Sequence, residues 1–154
     1  VKEKAQQAGA YVMRHKKGFG IVLAIFLLVC LLLLCACDGN PLPQGMEEET
    51  LLDQGREIVQ LLNEGDYDAI YDQMRQDGQE TTSVEDIQSY FQAVLDEAGA
   101  YKRESDYLAT GQKLDSGEEY GTAVLYCKHE KKNVVYRIAF DTDMALMGLQ
   151  VQAE

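Results

Sequence analysis

The sequence predicts an α+β domain, with three helices packed across one face of a curved four-stranded antiparallel sheet and a hydrophobic signal or anchor helix in front of it. Three observations carry this reading. Apolar residues recur at helical spacing from about 47 to 98, they alternate with period two after Gly99, and Phe19 to Ala36 reads FGIVLAIFLLVCLLLLCA without a charge. A chain of 154 residues has room for one such core.

The apolar segment comes first. Its 18 residues would span roughly 27 Å as a helix, close to a hydrocarbon core. Arg14-His15-Lys16-Lys17 precedes it and the next base is Arg56, so the positive-inside bias puts the remainder of the chain outside the cytoplasmic membrane. Two outcomes fit, a cleaved signal peptide or a retained single span. The segment ends in Leu34-Cys35-Ala36-Cys37, which resembles the bacterial lipobox, and only Cys37 follows a small residue. Cys37 is therefore the expected lipid attachment site. Either outcome places the domain at the cell membrane, lipid-anchored or single-pass, on its extracytoplasmic side. Met13 directly precedes the basic run, and translation is expected to begin there. With Cys37 lipidated and Cys30 and Cys35 removed, Cys127 is the remaining thiol, expected as a small buried apolar side chain.

Residues 1–37 form the N-terminal extension with its signal or anchor, 38–45 (DGNPLPQG) a flexible tether, and 46–154 the domain. The first helix, about 47–63, opens with Glu47, Glu48 and Glu49 and repeats Leu51, Leu52, Ile58, Val59 and Leu62 on one face. Asp66 can cap a short second helix, 67–75, with Tyr67, Ile70, Tyr71 and Met74 on its apolar side. The third begins at Ser83-Val84-Glu85-Asp86, which resembles a capping box, and its stripe of Val84, Ile87, Tyr90, Phe91, Val94, Leu95 and Ala98 ends at Gly99. Four strands follow: Tyr101 to Tyr107, Tyr120 to His129, Val134 to Phe140 and Ala145 to Val151. The connections Thr110–Gly117, Glu130–Asn133 and Asp141–Asp143 are short enough for hairpins, so the strands should form a meander. Leu62, Ile87, Phe91, Val94, Leu95, Tyr136, Ile138, Phe140 and Leu149 are the expected core.

This order resembles the nuclear-transport-factor-2-like (cystatin-like) fold. Asn63-Glu64-Gly65-Asp66-Tyr67, Gly99-Ala100-Tyr101, Cys127-Lys128-His129-Glu130 and the hairpin from Phe140-Asp141 to Gly148-Leu149 together resemble the bacterial envelope family called domain of unknown function 3887, whose members are often lipoproteins. The resemblance covers roughly 48–151. It implies an aromatic residue where this chain has His129 and a glycine where it has Met144.

Charge narrows the function. Residues 38–154 hold 9 bases against 25 acids, which opposes a phosphate-backbone ligand and excludes nucleic-acid binding as the main activity. No Gly-rich phosphate loop, zinc spacing or nucleophile with a recognisable base is present, so no cofactor is called for. His129 and Cys127 alone are too few for a metal site, and His129 reads as a solvated strand end. The acids read as solvated surface. The leading expectation is a non-catalytic module that binds a small apolar ligand or a partner protein at the cell envelope. The alternative comes from relatives of the resembled fold, ketosteroid isomerases and limonene-epoxide hydrolases, which work in a cone between sheet and helices with Asp and Tyr side chains. Tyr90, Tyr101, Asp106, Tyr107, Tyr126 and Tyr136 are the residues that could line such a cone. A cone packed shut favours the binding module; an open one holding a desolvated carboxylate favours a hydrolase or isomerase.

Overall fold

A computed structural model describes residues 39–154. The expected signal or anchor, Cys37 and the start at Met13 lie outside the described residues. The element order is α1 (Glu48–Glu64), α2 (Tyr67–Gln73), α3 (Gln76–Gln79), α4 (Val84–Ala98), then β1 (Tyr101–Lys113), β2 (Glu119–His129), β3 (Asn133–Asp141) and β4 (Leu146–Ala153). The strands form one antiparallel sheet in the order β1-β2-β3-β4, the meander expected from the hairpin spacing.

α1 buries Leu51, Leu52, Ile58, Val59 and Leu62 against the sheet, with Glu48 and Glu49 favourably placed in its first turn. Gly55 sits in this buried face because a Cβ there would lie 2.8 Å from the Ala123 side chain; without one, the helix can close onto β2. Asp66 caps α2 by accepting from the Ala69 N–H, as its position suggested. At α4 the capping box is complete: Asp86 N–H donates to Ser83 Oγ and Ser83 N–H to Asp86 Oδ2. The expected three helices become four, since the second ends at Gln73 and the polar turn QDGQ forms α3 by itself.

The core lies between the helices and one sheet face. Leu62, Ile87, Phe91, Tyr136, Ile138 and Phe140 are buried as expected, whereas Val94, Leu95 and Leu149 are only partly covered. Two boundaries move. Thr110 and Gly111, read as the start of a turn, are inside β1, and the hairpin turn runs from Leu114 to Glu118. Residues 39–45, read as tether, include a stretch held along β1, where Gly111 N–H donates to Asn40 O at 2.9 Å; the compact unit begins at Gly39 rather than Met46. Gly111 is required by that approach, because a Cβ there would fall 2.0 Å from Pro41 O. At the last hairpin Met144 takes φ 65°, a left-handed conformation that favours glycine, the residue the family resemblance implied there. Among the described residues, no helix is long and apolar enough to cross a membrane.

Candidate functional site

The six residues expected to line a common cone do not converge. Tyr136 is fully buried at its centre, while Tyr90, Tyr101, Tyr107 and Tyr126 are 61, 39, 50 and 37% exposed. Asp106 pairs across the ladder with Tyr126, and Tyr126 stands between the core residues Leu125 and Cys127, so both belong to the face turned away from the helices. Asp106 follows from simple alternation, being adjacent to the helix-facing Tyr107, while a pair of register shifts in β1, between Tyr101 and Arg103 and between Glu104 and Asp106, turns Glu104 inward. Both Glu104 and Tyr107 lie on the α1 side: Arg56 of α1 grips Glu104 through two hydrogen bonds of 3.0 Å, and its guanidinium lies 5.5 Å from the Tyr107 ring centre. Arg56 also donates to Asp53 at 2.9 Å, and these carboxylate partners, Glu104 foremost, push its pKa above the ordinary arginine value. The bidentate pair ties α1 to β1 in the wall of a cavity of about 460 Å³ whose lining also includes Val59, Asn63 and Tyr101.

Beside that cavity runs a polar chain whose His129–Tyr136 bond is buried. His129 Nδ1 lies 2.8 Å from Gly99 O, His129 Nε2 2.8 Å from Tyr136 Oη, and Asn63 Nδ2 donates to Tyr136 Oη at 3.2 Å and to Val59 O at 2.7 Å. Because a carbonyl only accepts, the network assigns the imidazole hydrogen to Nδ1; Nε2 then accepts from the Tyr136 hydroxyl, and every member is satisfied. His129 is thus a buried strut rather than a solvated strand end. The β2–β3 turn folds back onto the α4–β1 junction, with Glu130 N–H donating to Ala100 O and Lys131 N–H to Ala98 O, both at 2.9 Å, and this carries His129 inward. Its ring stands edge-on to Tyr101 at 5.5 Å, occupying the aromatic position of the resembled family. Burial pushes the Tyr136 phenol well above its ordinary value, against the opposing hydrogen bond from Asn63. Burial likewise pushes the Cys127 thiol up to about 11, with the Glu104 charge adding to the rise and a Tyr101 hydrogen bond opposing it. Neither is disposed to ionise for catalysis. Leu125, Tyr136, Ile138 and Phe140, each at most 1% exposed, fill the space the cone would need.

A more apolar concavity lies elsewhere. Between α4 and the start of β4 is a groove of about 410 Å³ whose lining includes Ile70 and Met74 from the α2 side, Ile87 and Phe91 from α4, and Leu146 and Leu149 from β4. Ile87 and Phe91 reach it together because they are four residues apart on one helical face. Tyr90, exposed at the rim, meets the Phe91 ring edge-on at 4.9 Å. Asp86 is the charged lining residue, and its capping hydrogen bonds from Ser83, first the hydroxyl and then the backbone N–H, hold its carboxyl below the usual aspartate range. It is therefore a fixed anion and a poor proton donor. Of the six expected residues only Tyr90 borders this groove. Of the others that form it, Ile87, Phe91 and Leu149 were legible as core and Ile70 and Met74 as the apolar side of the second helix, whereas Leu146 and the gathering of all of them on one flank were not. Among the described residues no three His, Cys, Asp or Glu side chains converge to hold a metal ion.

Residues 55–149 match the model of a family described as "Protein of unknown function (DUF3887)". The chain is also similar to a protein from Ruminococcus gnavus ATCC 29149 solved by NMR. The two share 27% identity with a TM-score of 0.64, over 72% of this chain and 96% of the other. No curated protein matches.

Proposed function

Because this chain belongs to the DUF3887 family of proteins of unknown function, which it matches over 55–149, we propose a function from the geometry of its site: a non-catalytic binding module at the cell envelope. The module has a nuclear-transport-factor-2-like architecture and is held on the outer side of the cytoplasmic membrane, with Cys37 as its lipid attachment site. Its ligand, a small apolar molecule or an apolar segment of a partner protein, seats in the groove between α4 and β4. The single observation that carries this reading is the contrast between a filled interior and an open apolar flank. Enzymes of comparable architecture need a cavity where this domain has Tyr136 and Phe140, whereas binding needs only a preformed apolar concavity with a few polar groups at its edge. Tyr90 supports the same conclusion, since a large aromatic ring held at the rim of such a groove is the kind of side chain that anchors interfaces.

Native mass spectrometry of the full chain, purified from its own membranes, tests both halves of the proposal. The expected protein begins at Cys37, carries a diacylglycerol mass that Cys37→Ser removes, and retains a bound species that Tyr90→Ala loses. An uncleaved mass indifferent to Cys37→Ser would refute the anchor. A bound species retained equally by Tyr90→Ala would put the ligand outside the groove.

A further inference from the structure

The groove is apolar, but the elements that form it are strongly acidic. Residues 66–98 and 138–154, which supply α2, α3, α4 and β4, hold twelve acids and one base. That base, Arg75, is committed to Asp77 at 2.6 Å and to Glu118. Asp86 stands in the wall itself, and Asp72, Glu80 and Glu85 are exposed on neighbouring turns. Asp77 and Glu97 are paired, with Arg75 and Lys132, and an apolar floor surrounded by the remaining, unpaired acids discriminates among occupants. A neutral small molecule gains nothing from the charge, and an anionic amphiphile is repelled by it. A second copy presenting the same face is repelled as well. A segment with apolar side chains on one face and Lys or Arg beside them gains from floor and rim together.

We propose that the groove receives a cationic amphipathic helix of a partner protein. This deepens the reading of the groove as the binding site and rests on it. A helix, inserting side chains, fits better than an added strand because the edge of β4 is interrupted. Its first residue is already paired with Met74, Arg75 N–H donates to Leu146 O at 2.9 Å, and the ladder shifts register between Ala139 and Phe140. An incoming strand would find the start of that edge occupied, while the exposed Tyr90 and the partly covered Leu149 are accessible to side chains.

The test uses the full chain in phosphatidylcholine nanodiscs, labelled with ¹³C at the Met and Ile methyl groups, with empty discs as the blank. Met74 and Ile87 report on the groove; Met46, packed beside Gly121 and Leu51, is the control. The probes are benzene, a 14-residue peptide of Leu and Lys with helical spacing, and the same peptide with Glu for Lys. Benzene and the Lys peptide are expected to shift Met74 and Ile87 and to leave Met46 in place. The Glu peptide should bind at least about tenfold more weakly, and the combined Asp72→Asn, Glu80→Gln and Glu85→Gln variant should weaken the Lys peptide about fivefold or more at low salt without changing the benzene response. Equal binding of the two peptides, or a Lys peptide indifferent to the charge variant, would overturn the inference. So would shifts of Met74 that follow protein concentration alone, which would make a second copy the occupant. If benzene moves Met74 and Ile87 and neither peptide does, the groove reading stands and the cationic partner falls; if no probe moves them, both fall.

Discussion

Phe91→Ala is expected to destabilise the domain by about 3–5 kcal/mol, because a buried phenylalanine loses both its transfer free energy and its share of a packed interior. Phe91 belongs to the core cluster shared by α4 and the sheet, and it also forms part of the groove floor. Truncation therefore removes the support under Tyr90 as well as the core contact. A domain of this kind has roughly 5–15 kcal/mol of stability in total, so a large fraction would be lost. The chain has no Trp, and urea unfolding of the unit 39–154 followed by tyrosine fluorescence reads the effect. An unchanged midpoint would show that the α4 stripe does not face the core.

Tyr136→Phe is expected to cost about 1–3 kcal/mol although it removes a single oxygen, since it leaves the buried His129 Nε2 without its donor and Asn63 with Val59 O but without the Tyr136 hydroxyl. His129→Phe should cost a similar amount for the reciprocal reason. The double variant should lose less than the sum, with a coupling of about 0.5–3 kcal/mol, because both ends of the bond leave together. Unfolding midpoints of the four proteins close the cycle. Strict additivity would mean that the His129–Tyr136 hydrogen bond does not form.

The parts of this fold that could be read from the chain are those set by local physics. The change of period at Gly99 marks the passage from helices to sheet, Ser83 and Asp86 mark the start of α4, and three short connections impose the meander. What could not be read depends on partners distant in sequence. The register shifts in β1 are invisible as alternation, and they turn Glu104 to the side of the sheet where Arg56 meets it. His129 lies in a charged string, Lys128-His129-Glu130, that reads as solvent-facing until the β2–β3 turn docks on Ala98 and Ala100. Gly111 looked like turn chemistry, yet its missing side chain serves the approach of Pro41. α3 escaped notice because three polar residues and a glycine carry no periodicity, and the Arg75 and Asp77 side chains pair beside its first turn. The groove combines both limits: Ile87, Phe91 and Leu149 were legible as buried, but Leu146 was not, and only the packing of α4 on β4 brings them to one flank of the core.

The central claim is that the interior between helices and sheet is closed, so that binding belongs to the outer groove. Cys127 reports on it directly, being 1% exposed beneath α1 and beside the Tyr136 chain. The measurement is the rate at which iodoacetamide modifies Cys127 in the folded full chain at pH 8, followed by peptide mass mapping and compared with the urea-unfolded chain. A closed interior and a thiol raised to about 11 by burial predict modification about a thousandfold slower or more, proceeding only through unfolding. Modification within about tenfold of the unfolded rate, at full native stability, would mean that solvent and small molecules enter the cone, and the closed-interior account would be contradicted.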